Sequence, residues 1–550
     1  WLKVSRECFP FSPRWLAVTG TVMEILWQVG STPAPSSKPR EDRIPPNPFT
    51  RYIRAGEDLD FSPVAEGQLN GNASRGFTVL PARSMRSCVL LLVSSVLGAG
   101  CLCLPYAAKV AGLGQSIILT LVLAGLTIGS IRILVLALVA SKEESYEAMA
   151  YHCGGSKLAL LVEVLVVGNC IGQTVCYFVI IEGIVLYLRG GAITAYHEGT
   201  LNLPVRVLDM ATDPSFVAKV VALVLAPVCL AERLRNIRYL CLVTLISTCM
   251  FATVVATEFA RRGLSPTLTE DDGHVVWRRL VSPADGEQWT AGLVRAATMI
   301  LYAFSCQYQV PGIFGELEKR TLRRMQKVTT MATCITAGIY IAICICGFLS
   351  LGTSMRHPTL LGDYGPLILA GGHPWIVAVF GSFVLSVAAA VPLAILPARY
   401  SLELVVRMMT RTASASPVVG SPERPLLGGP GLGRLSARRS MPCWARLVVV
   451  GLCLGTSLVF ALRAPALVPC VQLVGATTCP LVGFVLPAYF YLKHVPGPLH
   501  AGDKPLAILL AVVGVVMFVS GTLVSLSDIA ANVGVHPFRT AHEAPPRRRQ

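Results

Sequence analysis

Apolar stretches of about 20 residues recur along this 550-residue chain, and no other feature limits its fold so tightly. They fall at 87–110, 115–140, 157–187, 215–231, 239–260, 290–317, 328–352, 374–398, 446–463, 467–492 and 505–529. None alternates apolar with polar residues, so they read as helices rather than barrel strands. Composition agrees: 53% of residues are hydrophobic and 14% charged, where soluble domains carry about 25% charge. Mean hydropathy is +0.61. The expected fold class is an all-α polytopic membrane protein of about 11 transmembrane helices.

Charge placement sets the expected orientation. The formal net charge of +16 would suggest nucleic acid in a soluble protein. Here the basic residues sit mainly in alternate loops, so the partners implied are membrane lipid and no nucleic acid. One side holds Arg233, Arg235, Arg238, Lys319, Arg320, Arg323, Arg324, Lys327 and eight Arg between 399 and 446. Outside the tails, roughly 20 Lys/Arg lie on that side against about 10 on the other. This predicts a cytosolic N-terminus and a C-terminus on the opposite side.

Residues 1–86 are rich in Pro, Ser and Arg and are expected as a disordered cytosolic tail. The short apolar stretch Trp15–Gly30, broken by Glu24, reads as interfacial or spurious. Asn72 heads the only glycosylation sequon and falls in that tail. A transmembrane domain is expected over 87–529, with a disordered cytosolic loop at 400–445 and a C-terminal tail at 530–550. Neither a plasma membrane nor an endomembrane location is favoured by these features.

Several chemistries find no support. Most of the 18 Cys lie inside apolar runs, and the long loops at 188–215, 262–290 and 353–372 have none. No disulfide framework follows. Cys101/Cys103 and Cys344/Cys346 sit on apolar helices without a nearby His and read as small packing residues. There is no Walker loop, zinc motif or nucleophile elbow. Neither enzyme activity, cofactor nor metal is implied.

Two spans are interrupted. The first, SSVLGAGCLCLPY, places Gly98, Ala99 and Gly100 mid-span with Pro105 beyond. The sixth, ILYAFSCQYQVPGIFGEL, places Ser305, Gln307 and Gln309 before Pro311-Gly312. Gly is costly within a helix and Pro suits the first turn of a new one. Each span then reads as two half-helices joined by unwound backbone. Close packing by small residues is the other reading of such a segment. If helices 1–5 and 6–10 are inverted repeats, spans one and six hold equivalent places, and paired broken helices mark transporter sites. Gly98 and Gly100, lacking a Cβ, would let a carboxylate reach freed N–H groups, and freed carbonyls of the sixth span would accept from an ammonium. A zwitterionic amino acid fits that pair.

SSVLGAGCLCLPYAAKVAGLG resembles the first helix of the amino acid/auxin permease family, and YAFSCQYQVPGIFGELEKRTLRRMQKV resembles its sixth helix and following loop. VPLAILPARYSLELV, CPLVGFVLPAYFYLK and FVSGTLVSLSDI resemble its eighth, tenth and eleventh. The resemblance covers about 85–530. It implies a LeuT-like fold of five plus five inverted helices and one more, and secondary transport of amino acids by alternating access. Substrate would lie against Ser94, Gly98, Ala99, Gly100, Phe304, Ser305, Cys306, Gln307, Asn169 and Tyr177. A coupling ion would lie near Ser94, Leu97, Ser386 and Ala390.

Three departures weigh against sodium. Sodium-coupled members have Asn at Ser94, Thr at Ala390 and His at Gln307. A hard cation loses an oxygen ligand at Ala390, with Ser386 one turn away as a substitute. Protons remain the alternative coupling ion, through a carboxylate such as Glu182. All nine His fall in loops or at span ends. Glu163 and Glu182 are placed toward the ends of their span and expected at the interface, and Lys109 and Arg132 are expected to snorkel. Without charge at mid-span, small neutral substrates are favoured. A non-transporting amino acid sensor on the same fold is the second function class. A channel is disfavoured, since no span carries a charged ring or filter repeat.

Overall fold

The computed structural model describes residues 84–143, 145–197, 213–230, 238–268, 288–355, 357, 359–360, 362–364, 374–414, 443–464, 467–495 and 502–532. Of the tails expected at 1–86 and 530–550, residues 1–83 and 533–550 lie outside these residues, while 85–86 and 530–532 belong to helices. Among the described residues all regular structure is helical.

The helices are α1 (Met85–Val96), α2 (Leu104–Ala111), α3 (Leu113–Ser141), α4 (Tyr146–His197), α5 (Pro214–Cys229), α6 (Arg238–Arg262) and α7 (Trp289–Ala303). They continue with α8 (Val310–Glu316), α9 (Leu322–Leu351), α10 (Pro374–Ser414), α11 (Cys443–Ala461), α12 (Leu467–Ala476), α13 (Leu486–His494) and α14 (Lys504–Asn532). Local chemistry sets several starts. Ser84 caps α1 by accepting from the Ser87 N–H at 3.2 Å, Asp213 caps α5 through Phe216 at 3.2 Å, and Thr321 caps α9 through Arg324 at 3.3 Å.

Among the described residues, eight helical stretches are long and apolar enough to cross a membrane. The protein is therefore an integral membrane protein. The expected spans at 87–110 and 290–317 are each split in two, and α5 has 16 residues. Outward faces match a lipid solvent: on α14, Val512, Val516, Val519, Leu523 and Leu526 are all exposed.

Two boundaries differ from expectation. Helix α4 begins at Tyr146 rather than 157, with a kink where Gly155 takes φ 67°. That is the left-handed region, where a side chain is costly. Helix α10 runs on to Ser414, so the first part of the expected 400–445 loop is helical. Its sequence from Ala398 to Ser414 contains neither Gly nor Pro, so nothing there stops a helix. Residues 415–442 lie outside the described ones.

Of the charged groups expected at the interface, Glu163 is buried, and Lys109 and Arg132 are bonded within the protein. Glu163 is 1% exposed while its neighbours Leu160, Leu161 and Val164 face outward. The earlier start of α4 places Glu163 well inside that helix, on its inward face. Lys109 Nζ donates to the Met355 carbonyl at 2.6 Å instead of snorkelling. Arg132 reaches Asp503 at 3.0 Å and Gln326 at 2.9 Å, tying α3 to α9 and to the start of α14. Arg295 on α7 forms a bidentate pair with Asp528 on α14, at 2.9 and 2.6 Å.

Glycines set the closest helix contacts. A Cβ on Gly475 would fall on the Thr298 carbonyl and 3.1 Å from Tyr302 Cβ. One on Gly451 would meet open space. Gly475→Ala should thus cost about 1–3 kcal/mol by overpacking, whereas Gly451→Ala should be neutral. Melting temperatures of the two variants in detergent, followed by size-exclusion after heating, check this. Equal melting points would refute the α7–α12 contact.

Candidate functional site

Helix α1 ends at Val96 because Leu97 turns to extended backbone, with ψ 109°. Gly98 is extended, a short 3-10 turn covers Ala99–Leu102, and α2 restarts with Pro105 in its first turn. In the sixth span α7 ends at Ala303, Phe304–Cys306 are non-helical, and a 3-10 turn Gln307–Gln309 leads into α8. Both interruptions fall where the Gly and Pro patterns placed them. A helix end leaves up to four carbonyls without intrahelical donors, and inside a bundle these need side-chain partners.

The first interruption packs on the helix end that leads into the second. A Cβ on Gly100 would sit 2.7 Å from the Ala303 Cα and closer still to its Cβ. Gly100 is therefore where the first interruption packs on the end of α7. This corrects the expectation that its missing Cβ opens space for a carboxylate. Gly98 is different: a Cβ there would come within 2.9 Å of the Tyr177 hydroxyl, the tip of a side chain on α4. Of these two glycines, Gly98 is the one whose missing Cβ faces a polar side-chain group. Ala99 is buried beside it.

A third helix joins them. Tyr340 on α9, fully buried, places its hydroxyl 2.6 Å from the Val96 carbonyl and 3.1 Å from the Ala303 carbonyl. These are the last helical residues before the two interruptions. The Phe304 ring meets the Tyr340 ring edge-on, with centroids 5.4 Å apart.

The polar residues of the sixth span point mainly toward α4 and α10. Gln173 donates to the Ser305 carbonyl at 3.4 Å and accepts from the Tyr308 hydroxyl at 2.7 Å. Gln309 donates to Tyr308 at 2.8 Å and to the Leu393 carbonyl at 3.3 Å. The latter bond has a covalent cause. The i+4 donor to Leu393 would be residue 397, which is Pro and has no N–H. Gln309 supplies the missing donor from a neighbouring helix. The Cys306 N–H donates to Gln307 Oε1 at 3.0 Å, fixing that amide's orientation. Gln307 Nε2 then remains a buried donor with no protein partner.

Asn169 on α4 is bonded to another segment. Its oxygen accepts from Thr478 at 2.9 Å and Cys479 at 3.5 Å, on the segment after α12. That segment continues as a π-turn at Leu481–Val485, whose loosened carbonyls at Val482 and Gly483 accept from Tyr146, at 3.2 Å, and from Ser130. Gln307 lies against Gly483, where a Cβ would come within 3.3 Å of its amide carbon.

The expected coupling-ion residues are also buried. Ser386 on α10 donates to the Thr244 carbonyl at 3.4 Å, and Thr244 returns a bond of 3.4 Å to the Ser386 carbonyl. Ser94 on α1 is buried, 1% exposed. Leu97 and Ala390 contribute no side-chain oxygen, and both are buried. Gln309 was legible in the sequence only as a polar residue of the sixth span, and nothing there marked Gln173, Tyr308 or Tyr340 as structural donors. Pro397 was a usable signal for an orphan carbonyl at Leu393. A lone Tyr in an apolar helix carries no such signal.

The Pro397 explanation makes a specific forecast. Gln309→Leu should destabilise the purified protein by about 1–3 kcal/mol, the cost of leaving a buried acceptor unmet. In a Pro397→Ala background residue 397 regains its N–H, and the cost should fall by half or more. Thermal melting of the four proteins of this cycle measures it; equal costs in both backgrounds would sink the assignment.

With the geometry established, similarity to known proteins can be placed on it. The family described as transmembrane amino acid transporter protein matches residues 82–527. Amino acid transporter AVT6A of Arabidopsis thaliana is 24% identical over 441 residues, covering 78% of this chain and 86% of the relative. Vacuolar amino acid transporter 6 of Saccharomyces cerevisiae is 21% identical over 468 residues, covering 82% and 98%. Sodium-coupled neutral amino acid transporter 7 of Xenopus laevis is 26% identical over 275 residues, covering 50% and 57%. The matched segment runs from just before α1 to the last turns of α14 and takes in both interruptions. This chain belongs to the transmembrane amino acid transporter family.

Proposed function

We propose that this protein carries amino acids, small neutral ones preferred, across a membrane by alternating access, with substrate held between the interruptions at Leu97–Gly100 and Phe304–Cys306. The single observation that supports this is the packing of the first interruption, at Gly100, on Ala303, the last helical residue before the second. Unwound backbone offers N–H and C=O groups at one place, matching a zwitterion's two ends. The residues gathered there (Ser94, Gly98, Tyr177, Phe304, Ser305, Cys306, Gln307) carry no formal charge. A substrate with a net charge would find no compensation.

The helices suit eleven crossings: two inverted repeats of five and one more helix, with residues 1–86 and the 415–442 loop in the cytosol and the C-terminus opposite. Loop charge supports this orientation. Tags on both tails, probed by protease in sealed vesicles, should give opposite accessibility; matching accessibility refutes it. The vacuolar designation of the yeast relative favours an endomembrane.

Transport in this reading is independent of sodium. Ala390 offers no hydroxyl, and the Val96 carbonyl of the first interruption already accepts from Tyr340. An ion short of oxygens there would be poorly compensated for its desolvation. The relative named as sodium-coupled is the counter-indication. Protons, through a carboxylate such as Glu182, are the alternative coupling ion.

One experiment covers these points: uptake of a radiolabelled amino acid panel into proteoliposomes, with sodium and pH varied. Neutral amino acids should accumulate, and replacing sodium by choline at fixed pH should leave the rate unchanged. A several-fold fall, reversed by restoring sodium, would show that Ala390 has been misjudged. Binding without flux would identify a sensor instead. In the same assay Gly98→Ala should weaken apparent affinity about tenfold at unchanged protein level, since its methyl would crowd the Tyr177 hydroxyl. Near-normal affinity would remove Gly98 from the site.

A further inference from the structure

We propose that Tyr340 is the positioning residue of the substrate site: one phenolic hydroxyl that sets the spacing between the two interruptions. The inference rests on the reading of those interruptions as the site. Tyr340 lies midway along α9, with its hydroxyl 2.6 Å from the Val96 carbonyl and 3.1 Å from the Ala303 carbonyl. Both acceptors are ends of helices, and both lost their ordinary i+4 donors when the chain unwound.

A phenol has one proton and here serves two acceptors. Two carbonyl oxygens converging on one point repel each other unless a donor lies between them. The hydroxyl therefore does more than satisfy an orphan. It holds together two dipoles that would otherwise separate or admit water. The rest of the contact is built to match. Ala303, whose carbonyl is bound, is also the residue on which Gly100 packs. Phe304, the next residue, lays its ring against the Tyr340 ring. The segment that would hold the carboxylate and the segment that would hold the ammonium thus share one fixed reference point, supplied by a helix that contains neither.

Loss of the proton while the ring remains should act on substrate affinity. The two segments would drift apart in the empty protein, and binding would have to restore their spacing. That cost appears in KM, while turnover, set by the larger helix motions, changes little.

The test compares Tyr340→Phe with Tyr364→Phe in the proteoliposome uptake assay. Tyr364 is a buried tyrosine whose hydroxyl lies 3.4 Å from Ser350 Oγ, away from the interruptions. Tyr340→Phe should raise KM about tenfold with kcat within about twofold, and Tyr364→Phe should leave both within about twofold. Placing para-aminophenylalanine at 340, which keeps ring and donor, should return KM to within about threefold of the parent. If Tyr340→Phe does not reach the membrane, that donor-bearing variant decides alone: parent-like affinity supports the role, and failure to recover overturns it. Unchanged KM in Tyr340→Phe, or an equal rise in Tyr364→Phe, also overturns it. If Gly98→Ala loses affinity while Tyr340→Phe does not, the site reading stands and this inference falls. Absence of uptake by the parent protein removes both.

Discussion

Inside a membrane, water is not present to bond a backbone N–H or C=O that the chain itself leaves open. Each such group costs several kcal/mol unless the protein supplies a partner. Several breaks in the helical hydrogen-bond pattern among the described residues are organised around that rule. The interruption after Val96 and the one after Ala303 are met by Tyr340. The carbonyl stranded by Pro397 is met by Gln309. The π-turn at Leu481–Val485 is met by Tyr146 and Ser130. In each case the donor comes from a different helix than the acceptor. Repairing the backbone therefore also fixes how the helices sit against one another.

This has a consequence for the site. The polar side chains of the sixth span read as candidates to touch a ligand, yet most of them repair backbone. Gln309 and Tyr308 form a chain from Gln173 on α4 to Leu393 on α10. Gln307 folds back on the Cys306 N–H and keeps only its Nε2 free of protein partners. What is left to bind a zwitterion is mainly unwound main chain and a few neutral side chains. That suits a site meant to accept the part all amino acids have in common.

Close packing does the remaining work. Gly100 lets α7 approach the first interruption, Gly292 lets it approach the Val110 carbonyl, and Gly475 lets α12 approach the Thr298 carbonyl. Without an apolar/water contrast between helices in lipid, such backbone approaches are a main source of cohesion. The same glycines that look like flexible joints in a sequence are here filled contacts. Gly100 is the clearest case, because its Cβ position is taken by Ala303.

Much of this was legible before any coordinates. Apolar runs of membrane length mark the long helices, since hydrophobic burial in lipid needs only composition and length. Gly98, Gly100, Pro311 and Gly312 mark the two interruptions, because Gly and Pro act on the backbone locally and carry their effect wherever the chain goes. Cap residues Ser84, Asp213 and Thr321 likewise act within one turn. What the sequence could not determine was which distant groups meet. That the Tyr340 hydroxyl reaches two carbonyls, that Gly100 faces Ala303 rather than open space, and that Glu163 turns inward while Leu160 and Leu161 turn out all depend on rotations of whole helices about their axes. Those rotations are decided by the joint fit of many side chains across separate spans. Local sequence therefore determined where the backbone opens, and only the tertiary structure decided what closes it.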